Sequence, residues 1–215
     1  MNDQELPTIL LRWSNESTTS PGMPEPNEVI YEISGDVFEL DDVENEELIG
    51  KFSLYYIDLE LALNRGKHIF EVFDDHSDEL CKYYDALFKP GGEYDFNENV
   101  GKIDDFMGIN LLILNKLEIL PRFRKKKLGL VVLRHMVERF SSGAELVAMK
   151  PFPLQFEAIR ESNEWRDQME LDRFPKFETA TTKKLHDYYR KIGFVDLPGT
   201  PMMIRSKYWK FPEIS

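Results

Sequence analysis

Residues 117–140 read LEILPRFRKKKLGLVVLRHMVERF, and they decide how the chain around them is organised. Ahead of Pro121 runs an apolar segment, Leu111 to Leu114 and then Leu117, Ile119 and Leu120, whose length and side chains suit a largely buried strand. Behind Gly129, Leu130, Leu133, Val137 and Phe140 recur at steps of three and four, with Val131 and Met136 widening the stripe, which predicts an amphipathic helix. Ser141-Ser142-Gly143 stops it. Between strand and helix lie five cations in six positions, Arg122, Arg124, Lys125, Lys126 and Lys127. The first amides of a helix lack intrahelical acceptors and sit at the positive end of its dipole, so this arrangement predicts a phosphate or pyrophosphate site. Read without its flanks, the same run is a solvated basic loop or a localisation-type cluster.

A second segment lies near the C-terminus. Thr181 or Thr182 is placed to cap a helix in which Leu185, Tyr188 or Tyr189 and Ile192 recur at helical spacing, closed by Gly193. Its end reads Tyr189-Arg190-Lys191-Ile192-Gly193-Phe194.

Together these stretches resemble the GNAT superfamily of acyl-CoA N-acyltransferases. Arg124-Lys125-Lys126-Lys127-Leu128-Gly129 is similar to that family's (Gln/Arg)-x-x-Gly-x-(Gly/Ala) loop, and Tyr189 to Phe194 to its Tyr-x-x-(Leu/Ile)-Gly-Phe segment, in the same order along the chain. Lys127 departs from the pattern by standing where the first glycine is usual. The resemblance implies an α/β (α+β) fold: a mixed, mostly antiparallel sheet with a central β-loop-α-β acyl-CoA unit and helices on both faces. It also implies acetyl-CoA as acyl donor, an amine as acceptor and direct transfer with no covalent intermediate. Carried over residue by residue, the main chain at Ile119 and Leu120 would align the pantetheine arm. Amides of Lys125, Lys126, Lys127, Leu128, Gly129 and Leu130, aided by Arg124, would hold the pyrophosphate. Tyr189 would be the general acid, or else a core tyrosine of its helix. Glu118 is the candidate base because it is the one carboxylate on the central strand; as a residue facing away from Ile119 it is equally a salt-bridging structural group. Asp58 and Glu60 are weaker candidates. A catalytically inactive acyl-CoA-binding or interaction module on the same fold is the alternative, favoured by Lys127 and by a long insertion.

Composition bounds these readings. The 215 residues carry a net charge of −12, split as −19 over residues 1–110 and +7 over residues 111–215. The acidic half disfavours nucleic acid; it either draws a small cationic amine or serves solubility. No apolar run reaches the ~18 residues of a membrane span, and the first residues lack a signal pattern, so the cytoplasm is expected. One cysteine, Cys81, and four scattered histidines, His68, His76, His135 and His186, give no metal-ligand spacing. Nothing in the composition fixes the oligomeric state, and a homodimer stays open.

Along the chain, residues 1–28 read as an N-terminal extension, 29–206 as one domain with an insertion at 151–180, and 207–215 as a tail. Strands are expected at Val29 to Leu40, with a bulge near Gly35, and at Leu48 to Leu63, where apolar and mixed residues alternate. Two helices follow between Gly66 and Phe88, the second capped by Ser77. Residues 91–105 read as an acidic loop or hairpin. Ala144 to Lys150 should return as a strand parallel to the first, with short strands at Phe194 to Asp196 and Met202 to Ser206. The insertion is either a lid over the substrate or a packed connector.

Overall fold

A computed structural model describes residues 7–16, 26–91, 94–124, 127–157 and 163–214. In chain order its elements are β1 (Thr8–Glu16), β2 (Ile30–Leu40), β3 (Glu46–Ile57), α1 (Leu59–Asn64), α2 (Ile69–Asp74), α3 (Asp78–Leu87), α4 (Glu98–Gly101), β4 (Leu111–Ile119), α5 (Leu128–Phe140), β5 (Leu146–Met149), α6 (Glu164–Gln168), α7 (Glu178–Arg190), β6 (Val195–Asp196) and β7 (Met203–Ser206). The strands form one seven-stranded sheet in the order β1-β2-β3-β4-β5-β7-β6. Every neighbouring pair is antiparallel except β4 with β5, which the α5 crossover makes parallel.

Leu111, Leu112, Ile113 and Leu114 are all buried, as expected of a strand covered on both faces. Leu112 and Leu114 pack with α5 residues such as Leu133 and Val137; Leu111 and Ile113 pack with Ile69, Phe73 and Leu87 of α2 and α3. The helices therefore lie on both faces of the sheet.

Several boundaries differ from the sequence expectation. Ile9 to Trp13, inside the expected N-terminal extension, form an apolar run that lies in β1, which pairs with β2 from Thr8↔Leu40 to Glu16↔Glu32, so the sheet begins before residue 29. Strand β3 ends at Ile57, because the Asp58 side chain accepts the Leu61 amide at 2.9 Å and starts α1. Leu59 and Ala62 then share a buried face three residues apart, a helical spacing inside a stretch that also alternates. In β2 the register steps between Val37 and Phe38 rather than at Gly35. Gly35 has a different role, since a Cβ there would lie 2.3 Å from the Arg12 carbonyl oxygen. Ser77 does cap α3, accepting the Leu80 amide at 3.3 Å. Helix α7 begins at Glu178, ahead of Thr181, whose hydroxyl donates back to the Phe177 carbonyl at 2.8 Å. Gly193, at φ +86°, ends that helix with Phe194 N–H bonded to the Tyr189 carbonyl, the left-handed closure that glycine permits.

The parallel pairing is short, running from Leu111↔Leu146 to Leu114↔Met149. Two local causes end it. After Met149 comes Lys150-Pro151-Phe152-Pro153, and proline has no N–H to extend a ladder. Against β3, Leu54 opposes Leu114 while Ser53 opposes Lys116, so Asn115 is an extra residue in β4. Such a bulge bends its strand, and Asn115 Nδ2 pins it by donating to Ser53 Oγ at 3.0 Å. Beyond Leu114 and Met149 the two strands part.

Candidate active site

A cavity of about 840 Å³ occupies this fork. β4 contributes Leu114 to Leu117 and Ile119; the chain leaving β5 contributes Met149, Lys150 and Phe152; α5 contributes Gly129 and Leu133; α7 contributes Leu185, Tyr188 and Tyr189. The insertion closes one side with its 3-10 turns at Leu154–Phe156 and Leu171–Arg173. From Asn115 onward the β4 edge has no strand partner on the β5 side among the described residues, and alternate main-chain groups of a strand face each neighbour.

The start of α5 lies at one wall. Lys127 is its N-cap, at φ 58° and ψ 5°, in the left-handed region. That conformation explains why glycine suits this position: a side chain there costs about 1–2 kcal/mol, a strain that Lys127 carries. Gly129 is needed for another reason. A Cβ on it would lie 2.7 Å from Tyr188 Oη, so any side chain there must displace the tyrosine. Lys125 and Lys126, expected to lend amides to the phosphate cradle, lie outside the described residues. Leu128 and Leu130 are buried in the core beneath the loop, and the Leu130 amide bonds the Lys127 carbonyl at 2.9 Å.

Tyr188 and Tyr189 both reach the cavity, their rings edge to face at 5.6 Å. Burial pushes the Tyr188 phenol up to about 12, opposed by the Leu130 amide. Burial also raises Tyr189, with Tyr188 adding to the shift. Both stay protonated at neutral pH and can donate a proton to an anion forming beside them.

The residues expected at the end of β4 are engaged within the protein. The Ile119 carbonyl accepts Arg124 Nε at 2.7 Å, and the Leu120 amide donates to the Ile49 carbonyl of β3 at 2.9 Å. Arg124 also donates through Nη2 to the Met169 carbonyl at 2.9 Å and stacks on Phe174 with its Cζ 4.6 Å from the ring centroid. It lines the cavity while fastening the insertion to β4, and burial lowers its pKa. Glu118 accepts Trp165 Nε1 at 2.9 Å. It lines a neighbouring depression with Arg12, Asp36 and Lys51 rather than the fork, so it does not meet Tyr189 across the cavity. Asp58 and Glu60 lie at the other end of the sheet, Asp58 as the α1 cap and Glu60 with its amide bonded to Asn110.

The carboxylates that do line the fork are Glu79 and Glu157. Glu157 accepts Lys116 Nζ at 2.6 Å and Arg166 Nη1 at 3.4 Å. Glu79 accepts Lys150 Nζ at 2.8 Å and Lys82 Nζ at 2.6 Å; those bonds outweigh desolvation and hold its carboxyl below the ordinary range. Tyr83 of α3 forms the wall behind Lys150. Sequence reasoning misses this set because its members come from α3, β4, the residue after β5 and the insertion. Lys116 inside the apolar run and Lys150 directly after a buried strand are the available signals. Away from the fork, His76 bonds Glu32 and Ser77 at 3.0 and 3.1 Å, and no group of three metal-ligating side chains occurs among the described residues. Among them, too, no helix is long and apolar enough to cross a membrane.

No family model matches the chain, and no curated protein matches it. Among solved structures, a crystal structure of a mutant of KacT aligns over 83% of this chain and 72% of that one, with 11% identity and a TM-score of 0.39. A likeness that loose assigns no residue and no chemistry.

Proposed function

We propose that the protein is a GNAT-type N-acyltransferase, moving an acyl group, acetyl being the first candidate, from coenzyme A to an amine with no covalent enzyme intermediate. The observation that carries this reading is the fork itself. A bulge at Asn115 and a proline stop after Lys150 part β4 from β5 and open a cavity between a free strand edge, the N-terminus of α5 and two tyrosines. A free edge accepts an extended amide-bearing arm as an added strand, and a helix N-terminus accepts a diphosphate. The sequence resemblance assigns those same two elements to the carrier.

In the transfer the carrier supplies an activated carbonyl; the C–N bond forms, the C–S bond breaks, and the proton lost by nitrogen ends on sulfur. The edge of β4 orients the arm beyond Leu114. Lys127, Leu128 and Gly129 would offer the first-turn amides; the resemblance adds Lys125 and Lys126, whereas the Leu130 amide is bonded to the Lys127 carbonyl. Tyr189 remains the assigned acid on its match to the family segment, and its neighbour on α7, Tyr188, whose hydroxyl lies against Gly129, is its rival. For the proton on the amine, Glu157 and Glu79 stand in the cavity wall, whereas Glu118 would act only from the adjoining depression. Pooled acid–base contributions of this kind are worth about 10²–10⁴-fold in rate.

Free-thiol release with acetyl-CoA and a panel of amines measures turnover, and Tyr189→Phe and Tyr188→Phe keep ring volume while removing the proton. Loss of about 10²-fold in kcat in one of them identifies the acid; unchanged rates in both would remove the pair from the chemistry. The inactive acyl-CoA-binding module is the second reading, and Lys127 in a left-handed conformation together with Arg124 on the Ile119 carbonyl favours it. It predicts acetyl-CoA binding with no thiol release for any amine.

A further inference from the structure

Beyond the last paired residues each arm of the fork carries a lysine. Lys116 follows Leu114 by two positions on β4, and Lys150 follows Met149 directly. Each is tied to a glutamate from another element, Lys116 to Glu157 and Lys150 to Glu79. Each glutamate holds a second cation as well, Arg166 and Lys82 respectively. Arg124, also in the wall, meets no carboxylate within ion-pairing distance among the described residues; its hydrogen bonds go to carbonyls. The described lining therefore holds four cations, Lys116, Arg124, Lys150 and Arg166, against two carboxylates. The acid excess of the first half of the chain reaches this lining through Glu79 alone.

This distribution decides which amine fits. A simple ammonium entering a lysine–glutamate pair satisfies the glutamate and strands the lysine, a partly buried charge left without its counter-ion. A molecule carrying both a carboxylate and an amine inserts into the pair and satisfies both ends. Around these heads the wall is apolar, with Leu117, Phe152, Leu154, Phe156 and Leu185, which suits an apolar body. We infer that the acceptor is a small amine bearing its own carboxylate on an apolar body, an α-amino-acid type of head group, inserted into one of the two lysine–glutamate pairs of the fork, Lys116–Glu157 or Lys150–Glu79. This rests on the acyltransferase reading for its consequence but not for its binding.

Calorimetric titration of the protein without cofactor tests it, using L-leucine and L-phenylalanine against isopentylamine and phenethylamine, their decarboxylated counterparts. At least one amino acid should bind about tenfold tighter than its matched amine. Lys116→Met or Lys150→Met should reduce that preference to near unity, with circular dichroism confirming the fold. Equal or tighter binding of the simple amines, or no binding of any of the four, overturns the inference. Should acetyl-CoA fail to bind while the amino acid preference holds, the acyltransferase reading falls and the ligand class stands; the reverse pattern leaves the transferase with a different acceptor.

Discussion

Strands β2 and β3 stay paired from Ile30↔Ile57 to Leu40↔Glu46, whereas β4 and β5 pair from Leu111↔Leu146 to Leu114↔Met149 and then part. Both pairs sit in one sheet and share its core, so the difference lies in what each strand meets next. The β2–β3 hairpin closes on Asp41, whose carboxylate accepts the Val43 and Asn45 amides at 3.0 and 2.8 Å, and pairing runs to the turn. Beyond Leu114 and Met149 stand an extra residue, two lysines and two prolines, and the ladder cannot go on. A cavity opens where pairing stops, and among the described residues the 3-10 turns of the insertion line one side of it.

Removing equal side chains from the continuous sheet and from the fork should have the most unequal effects. Leu112→Ala, at a fully buried position, should lower stability by about 2–5 kcal/mol. Leu117→Ala, half-buried at the fork, should cost about 1 kcal/mol or less by the smaller apolar area it removes from water. Chemical denaturation reads both, and equal losses would mean that the fork is packed as tightly as the sheet. A smaller effect is expected from Arg124→Met. It removes the bonds to the Ile119 and Met169 carbonyls, costing about 1–2 kcal/mol, and it should speed proteolysis within residues 154–174; an unchanged cleavage pattern would show that the insertion is held by its other contacts. Smallest is Lys127→Gly. Relief of the left-handed strain, partly offset by glycine's added freedom when unfolded, should raise stability by about 0.5 kcal/mol, and a loss instead would mean that the lysine side chain contributes at this wall.

The sequence makes the β4-loop-α5-β5 unit legible because three periodicities change within it over a few residues, and Pro121 and the glycines mark where. It also makes the α2–α3 pair legible through Ser77. It hides β1, since nine residues of an edge strand carry little alternation and a stretch rich in Ser, Thr and Pro follows them. It misplaces the end of β3, where Asp58 to Leu63 fits both a strand and a short capped helix until the cap bond is seen. Within the site, Tyr189 and Gly129 are legible as members of local patterns. Tyr188, Glu79, Lys116, Lys150 and Glu157 are not, because what makes them a group is the parting of two strands and the fall of an insertion across the gap. Arg124 shows the converse: its type suits an anion, but its guanidinium is spent on two carbonyls that no local pattern connects to it.

Whether the fork holds an acyl-CoA is measured most directly by thermal unfolding with acetyl-CoA. A ligand that binds only the folded chain raises the melting temperature with concentration, by about 2.7 kcal/mol of added stability at a hundred times its dissociation constant. Acetyl-CoA at about 1 mM should raise the transition in the unmodified protein and much less in Gly129→Val, where the new side chain meets the Tyr188 hydroxyl. No shift in the unmodified protein at that concentration would mean that the fork does not hold acetyl-CoA.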